Sequence, residues 1–272
     1  MLSSIEIYDL QAASWKAGVP MPKECSYTSA EVLDGKIYVL GGRYEDGSVV
    51  QVFDLLAGTW AEAAPLMTPR YKHASAAVGG KLYVLGGYVL GDDDELASVE
   101  AFDPQTGEWT EVAPMPTGRT DLKAAVLDGK IYAIGGFDEA EDVVDRVEVY
   151  DPATNTWAEA SPMGTARHYH DVAALDGKIY VAGGENEHGE YTDSVEVFDP
   201  QTQRWTGVAP MPAERVYFTL TAVQGRLYAV GGTGAGSGGR IGTVEAYDPQ
   251  LNRWKTLASV PTKRASHGAV AV

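Results

Sequence analysis

An all-β fold built from repeated four-stranded sheets is predicted by three observations in this sequence of 272 residues. A ten-residue segment that ends in Gly-Gly, such as LDGKIYAIGG at 127–136, occurs five times. Six tryptophans recur every 45 to 49 residues: Trp15, Trp60, Trp109, Trp157, Trp205 and Trp254. No window shows helical periodicity over three turns. A repeat of this length and content predicts sheets stacked in a ring, which is a β-propeller.

The four strands of one repeat follow in order in the fourth unit. An inner strand, HDVAAL (170–175), is followed by an Asp-Gly turn and a second strand, KIYVAGG (178–184). A third strand, DSVEVFD (193–199), follows a polar loop, and a fourth, RWTGVAP (204–210), follows a Pro-Gln-Thr turn. Antiparallel strands with such connections form one twisted sheet, which must stack on neighbours to bury both of its faces.

The composition of each strand suits its place in a ring. First strands such as ASAAV (74–78) and KAAVL (123–127) contain small residues, as expected where strands converge on an axis. The Trp lies on the fourth strand, where the wedge between neighbouring sheets is wide. An Asp ends each third strand and is expected to accept hydrogen bonds from turn N–H groups. These residues are Asp54, Asp103, Asp151, Asp199 and Asp248.

The Gly-Gly pair, the Tyr three residues before it and the Trp some twenty residues after it resemble the kelch repeat over essentially the whole chain. The resemblance implies a six-bladed kelch β-propeller in a single domain, 1–272. We predict five full four-stranded blades and a closing blade that is shared by the termini and lacks one strand. The full blades are approximately 23–67, 68–116, 117–164, 165–212 and 213–263, and the closing blade is 1–22 with 264–272.

The closing blade is incomplete because of where its segments match the repeat. SSIEIYD (3–9) matches a third strand and HGAVAV (267–272) matches a first strand. The absent piece corresponds to 176–190 of the fourth unit. We predict a gap with unpaired strand edges, which either the third strand closes by moving inward or a strand from another copy fills. A homo-oligomer formed through this incomplete blade is therefore an expectation.

Composition and charge exclude several classes of function. The net charge of −17 argues against nucleic acid binding, which depends on Lys and Arg that neutralise phosphates. No apolar stretch is long enough to cross a membrane, and the first fifteen residues lack the features of a signal peptide. The single Cys25 excludes an internal disulfide. It fits a reducing compartment, so a cytoplasmic location is favoured without being proved.

The loops where blades converge are the predicted binding site. Residues eight positions before the end of each inner strand form a ring of five arginines and one glutamate: Glu24, Arg70, Arg119, Arg167, Arg215 and Arg264. In an acidic protein, guanidinium groups that converge on one mouth would attract anions. The alternative is that they brace neighbouring blades. In kelch modules that this sequence resembles, arginines at this position hold acidic side chains of a peptide partner.

Two further sets of loop residues complete the predicted site. The two positions after each arginine hold Tyr71, Lys72, Thr120, Asp121, His168, Tyr169, Val216, Tyr217, Ala265 and Ser266, and the position after each Gly-Gly holds Arg43, Tyr88, Phe137, Glu185 and Thr233. A mouth that mixes Arg, Tyr and Phe has the composition of an interface hot spot. Ordinary exposure of polar loop residues is the alternative.

We therefore predict a non-catalytic binding propeller that recognises an acidic peptide or another anionic ligand, from a protein partner or an anionic sugar. The alternative is a sugar mutarotase of the sialic-acid type, an activity found in some bacterial kelch proteins. Glu185 would then be the acid–base group, and Arg167 or Arg215 would hold a sugar carboxylate. A third possibility is an engineered or truncated propeller scaffold without a ligand.

No cofactor and no metal is expected. His168 and His170 lie two residues apart on a predicted strand, so both point to one face. They are the only such pair, and a metal site needs three or four converging ligands.

Overall fold

All regular secondary structure in the described part of the chain is β-strand. The computed structural model describes residues 2–43, 47–89, 95–140, 142–235 and 238–272. Within these ranges no helix is long and apolar enough to cross a membrane. The strands form five antiparallel sheets of four strands, one two-stranded hairpin and two short strand pairs. The prediction of an all-β propeller is confirmed.

Each four-stranded sheet is one blade, in which consecutive long strands pair with one another. The N-terminal hairpin consists of β1 Glu6–Asp9 and β2 Ser14–Ala17. Blade 1 consists of β3 Ser29–Leu33, β4 Lys36–Leu40, β5 Val50–Asp54 and β6 Thr59–Glu62. Blade 2 consists of β7 Ala74–Val78, β8 Lys81–Leu85, β9 Val99–Asp103 and β10 Glu108–Val112.

The remaining blades repeat this order. Two-residue strands pair in the loops on one face: β11 Arg119–Thr120 with β14 Phe137–Asp138, and β21 Arg215–Val216 with β24 Thr233–Gly234. Blade 3 consists of β12 Lys123–Leu127, β13 Lys130–Ile134, β15 Val147–Asp151 and β16 Thr156–Glu159. Blade 4 consists of β17 Asp171–Leu175, β18 Lys178–Ala182, β19 Val195–Asp199 and β20 Arg204–Val208. Blade 5 consists of β22 Thr219–Val223, β23 Arg226–Val230, β25 Val244–Asp248 and β26 Arg253–Leu257.

The structure has five blades, not the six that the sequence predicts. The hairpin and the C-terminal segment 264–272 lie between blade 5 and blade 1, where a closing blade was expected. In the described chain, β1 pairs only with β2, and 268–272 form no strand. The predicted inner strand at 267–272 is wrong for a physical reason. The second strand that would pair with it is missing, and a lone extended segment has no ladder to satisfy its backbone groups.

The tryptophan indoles link each sheet to the one before it. Each indole Nε1 donates a hydrogen bond of 2.8 to 3.1 Å to a backbone carbonyl just after the last strand of the preceding sheet. Trp15 of the hairpin donates to Ala258 after blade 5, and Trp60 of blade 1 donates to Val19 after the hairpin. The hairpin therefore closes the ring between the last blade and the first.

The repeated segment that ends in Gly-Gly combines a tight turn with a close backbone approach. Asp128 and Gly129 have φ values of 51° and 74°, as a type I′ hairpin turn requires. Gly135 has a φ of 60°, and a Cβ on this residue would lie 2.6 Å from the carbonyl oxygen of Arg167 in the next blade. Only glycine fits this conformation and this distance, so the pair recurs in every blade.

The core lies at the seams between blades, and the second strands of blades 2, 3 and 4 each contribute to two seams. Tyr180 and Ala182 of β18 belong to one buried cluster with Leu227 of the next blade. Ile179 and Val181 belong to another buried cluster with residues of the preceding blade, including Tyr132. Alternate side chains of one second strand thus pack against opposite neighbours.

Candidate binding surface at the mouth of the ring

Four of the five arginines in the predicted ring are buried inside their own blades. Arg70, Arg119, Arg167 and Arg215 are all 0% exposed. Each pairs with a third-strand glutamate, in the order Glu100, Glu148, Glu196 and Glu245. The first three nitrogen–oxygen distances are 2.6, 2.7 and 2.6 Å. Each Nη1 also donates to the carbonyl of the first glycine in the blade's Gly-Gly pair, namely Gly86, Gly135, Gly183 or Gly231.

This geometry gives the four arginines a structural role and corrects the predicted anion-binding ring. A guanidinium with no exposed surface and a glutamate partner has no face left for a ligand. Burial lowers the pKa of Arg167, and the charge of Glu196 acts in the opposite direction. The sequence contains a signal for this pairing, because a Glu stands at a fixed place in the third strands of blades 2 to 5.

The first and last ring positions differ from the other four. The pairing of Leu33 with Lys36 matches that of Leu127 with Lys130, which places Cys25 rather than Glu24 at the arginine position of blade 1. Arg264 is only partly buried, and it pairs with Glu6 and with the Ser4 carbonyl of the N-terminal segment. It therefore ties the C-terminal segment to the hairpin.

A ring of six residues surrounds the axis two positions after the arginine position. All six have left-handed backbone, with φ from 53° to 56°: Tyr27, Lys72, Asp121, Tyr169, Tyr217 and Ser266. Five backbone hydrogen bonds of 2.9 to 3.2 Å join consecutive members. For example, Lys72 N–H donates to the Tyr27 carbonyl, and Ser266 N–H donates to the Tyr217 carbonyl. The C-terminal segment thus takes part in the ring although it forms no strand.

The aromatic side chains of this ring and its neighbours form a continuous belt at the mouth. The rings of Tyr169 and Tyr217 have centroids 4.0 Å apart, and Tyr27 lies 6.0 Å from Tyr217. Tyr71 continues the belt on one side, 6.5 Å from Tyr27. The other members are Tyr88, His168 and Phe137, each within 6 Å of a neighbour in the belt. We call these seven residues the aromatic belt: Tyr27, Tyr71, Tyr88, Phe137, His168, Tyr169 and Tyr217.

Lys72 is the cation within this belt. Its Nζ lies 5.2 Å from the centroid of Tyr169 and 5.8 Å from those of Tyr27 and Tyr88. It forms an ion pair of 2.7 Å with Asp121. Burial opposes its charge, but the ion pair raises the pKa of Lys72 above its ordinary value. Burial raises the pKa of Asp121 to about 6.

Two more predicted residues differ in their surroundings: Glu185 lies beside the belt, and Arg43 is on open surface. Glu185 Oε1 is 4.0 Å from His168 Nε2. Burial raises the pKa of Glu185 and lowers that of His168 to about 4, so His168 is neutral at pH 7. Arg43 is exposed, and its N–H donates to the Ser26 carbonyl.

Three histidines at one repeat position lie beneath the mouth. His73, His170 and His267 line a small void of about 40 Å³. Burial lowers the pKa of His73 to about 3, and it lowers that of His170 well below its ordinary value. His170 lines this void, whereas its predicted companion His168 packs against Phe137 and Tyr169 in the aromatic belt. Among the residues that the structure describes, no three His, Cys, Asp or Glu side chains form a group that could hold a metal ion.

A ring of four-stranded sheets around one axis defines a β-propeller. The chain belongs to the kelch-repeat family. Residues 2–184 match the family described as the KLHDC2/KLHL20/DRC7 Kelch-repeats domain, and 166–212 and 214–261 match the Kelch motif. The resemblance predicted from the sequence is thus confirmed, and the fold supports a role in binding.

Similarity to a solved structure agrees with this fold. The structure of YjhT superposes with a TM-score of 0.81 and covers 92% of this chain and 88% of that one. The two sequences are 18% identical, so the similarity concerns the fold alone. No curated protein matches the sequence significantly.

Proposed function

We propose that the chain is a non-catalytic binding module whose aromatic belt captures a peptide segment of a protein partner. The observation that carries this proposal is the arrangement of Lys72 among Tyr27, Tyr88 and Tyr169. Tyrosines supply large, rigid contact area and dominate interface hot spots. The ammonium group of Lys72 has three donors, so it offers a hydrogen bond to an acidic group of the partner.

The preference for an anionic ligand now depends on fewer cations than the sequence suggests. Arg70, Arg119, Arg167 and Arg215 are enclosed, which leaves Lys72 at the centre and Arg43 on exposed surface. Asp121 compensates the charge of Lys72 at neutral pH. We therefore expect the aromatic contacts to provide most of the affinity, and the acidic group to provide selectivity and salt dependence.

Selection from a random library of displayed twelve-residue peptides tests this proposal. Peptides enriched on the wild-type protein should bind at least tenfold more weakly to Tyr71→Ala and to Lys72→Ala, because each change removes part of the belt or its cation. Leu56→Ala is the matched control, since Leu56 is 99% exposed in the turn between β5 and β6, at the opposite end of the blade. Raised salt should weaken the acidic members of the enriched set most.

Two outcomes would contradict the proposal. Enriched peptides that bind Leu56→Ala as weakly as Lys72→Ala would place the binding surface elsewhere. A library that yields no specific binder from either face would favour a scaffold without a ligand.

Acid–base sugar chemistry is a second candidate, because Glu185 and His168 form the one carboxylate–imidazole pair among the predicted site residues. A raised pKa suits a carboxyl group that gives and takes a proton. Against it, Arg167 and Arg215 are both buried in ion pairs, so the predicted partners for a sugar carboxylate are not accessible. Anomer exchange of a sialic acid, followed by NMR with wild type and Glu185→Gln, decides between the two. Acceleration that Glu185→Gln abolishes would establish this chemistry, and no acceleration would remove it.

A further inference from the structure

A cleft of about 570 Å³ lies between blade 5 and blade 1. The hairpin bounds it on the outside and the C-terminal segment bounds it on the inside. Seven large apolar side chains are exposed in the described chain, and four of them line this cleft: Ile7, Val19, Leu55 and Val272. Exposed apolar surface concentrated at one seam indicates a missing packing partner.

The blade faces on both sides of the cleft lack the contacts that their counterparts have. Ile37 of blade 1 is partly exposed, whereas the residues at the same place in the other blades are 0% exposed: Leu82, Ile131, Ile179 and Leu227. Tyr228 of blade 5 is also partly exposed, whereas its counterparts Tyr38, Tyr83, Tyr132 and Tyr180 are buried. Between other blades, the second strand of the intervening blade packs against both of its neighbours. The exposed faces of blade 5 and blade 1 therefore lack the second strand of a blade between them.

Arg264 points to the same missing strand. The four buried arginines each donate Nη1 to the carbonyl of the first glycine at the end of a second strand. Among the described residues, Arg264 instead bonds to Ser4, Glu6 and Thr262. The four buried arginines each have a glycine carbonyl as acceptor, and Arg264 has none among the described residues. A second strand in the cleft would place such a carbonyl beside Arg264.

We propose that the cleft accepts an added β-strand, from outside residues 1–272, with the pattern of this chain's own second strands. The pattern is a basic residue, Ile or Leu, Tyr, Val or Ala, an apolar residue, Gly and Gly, as in KIYVAGG at 178–184. The added strand would complete a sixth blade by pairing with β1 on one side and with 268–272 on the other.

Each position of the pattern has a partner in the cleft. By the packing of the other seams, the Ile and Val side chains face Tyr228 and Val230, and the Tyr faces Ile37. The first glycine carbonyl accepts the free donor of Arg264. The Gly-Gly pair then makes the close approach to the neighbouring loop that it makes in every blade.

The register of the added strand follows from blade 4. There, Tyr180 stands opposite Ala173 of the first strand and Val197 of the third strand. By repeat position, Ala173 corresponds to Val270 and Val197 corresponds to Ile7. The tyrosine of the added strand should therefore stand between Val270 and Ile7.

A second copy of the chain is a poor donor. Its five strands of this pattern, β4, β8, β13, β18 and β23, each pair on both sides within their own blades. To donate one of them, the second copy would break two ladders and two packed seams in order to form one blade. A strand of this pattern that is not already paired has no such cost, so the occupant is an unpaired strand rather than a strand taken from the blades of a dimer partner.

The first test uses the synthetic peptide DGKIYVAGGENEHGE, the sequence of 176–190. It should bind with one-to-one stoichiometry in calorimetry and raise the Tm by about 5 °C or more at a hundredfold excess over its Kd. The matched controls are the same peptide with Tyr180→Pro, which cannot form the ladder, and a scrambled peptide of the same composition. Neither control should bind or shift the Tm.

The second test measures the register by cross-linking. In a Cys25→Ser background, the peptide with Tyr180→Cys should form a disulfide with Val270→Cys and with Ile7→Cys. It should not do so with Ala269→Cys or Ala271→Cys, whose side chains would point to the opposite face. These flanking variants also control for non-specific oxidation.

Three results would overturn the inference. Equal binding of the peptide and its Tyr180→Pro form would show that no strand is added. Equal cross-linking at 269, 270 and 271 would show that no register exists. A dimer in light scattering that does not bind the peptide would show that a second copy occupies the cleft.

Discussion

At the scale of single residues, the arginine–glutamate pairs explain why the predicted mouth differs from the real one. Arg167 and Glu196 each form several hydrogen bonds, including one from Gly164 N–H to Glu196 Oε2. Blade 1 replaces both partners. Cys25 stands at the arginine position, and Gln51 stands at the glutamate position, where its side chain bonds to the Lys23 backbone at 2.8 and 3.1 Å. The chain thus contains a neutral version of its own ion pair.

This neutral version allows a stability prediction with an internal reference. Arg167→Cys leaves a buried glutamate without its partner, so it should lower the free energy of unfolding by about 3 to 5 kcal/mol. The double variant Arg167→Cys/Glu196→Gln copies blade 1 and should be more stable than Arg167→Cys alone. Urea denaturation of the wild type, both single variants and the double variant measures the coupling. Additive losses would show that the pair does not act as a unit.

At the scale of strands and loops, the sequence predicts the blades better than the mouth. The hairpin turns and the Gly-Gly ends of second strands are local signals, so the repeat and its strand order follow from them. The predicted turn role of the third-strand aspartates is also confirmed, since Asp54 Oδ1 accepts hydrogen bonds of 2.9 and 2.8 Å from the N–H groups of Leu56 and Ala57. These interactions span only a few residues.

The mouth depends on contacts between distant segments, and sequence spacing does not reveal them. Arg70 meets Glu100 thirty residues away, so its burial could not be predicted from its loop. Tyr27 is absent from the predicted site because the sequence pattern places the ring position of blade 1 at Glu24, one residue before Cys25. Tyr88, Phe137, His168, Tyr169 and Tyr217 were predicted and do come together. The missing second strand could be predicted because it is a gap in the repeat.

At the scale of the whole molecule, the axis of the ring carries buried groups that titrate in opposite directions. Neutral histidines lie there with carboxyl groups from several blades. Burial raises the pKa of Glu31 to about 7 and that of Asp121 to about 6. Burial, with the nearby charges of Arg70 and Lys123, lowers the pKa of His73 to about 3. The acid response of the whole fold is therefore a sum of opposing contributions from this axis.

The contribution of His73 can be isolated from that sum. Its pKa is lower in the folded chain than the ordinary 6.5, so the unfolded chain takes up the proton more readily. The stabilisation is fully present above about pH 6.5 and is lost as the pH falls towards 3, with a loss of about 2 kcal/mol between pH 7 and pH 5. Glu31 acts in the opposite sense, because its raised pKa makes the folded chain hold the proton more firmly.

The His73→Gln variant should therefore lose about 2 kcal/mol less of its free energy of unfolding than the wild type does between pH 7 and pH 5. The Glu31→Gln variant should lose more than the wild type over the same range. His188→Gln, in an exposed loop, is the matched control and should follow the wild type. Urea denaturation at pH 7, 6 and 5 measures these differences, and parallel curves for the wild type and His73→Gln would show that His73 is not held neutral by the fold.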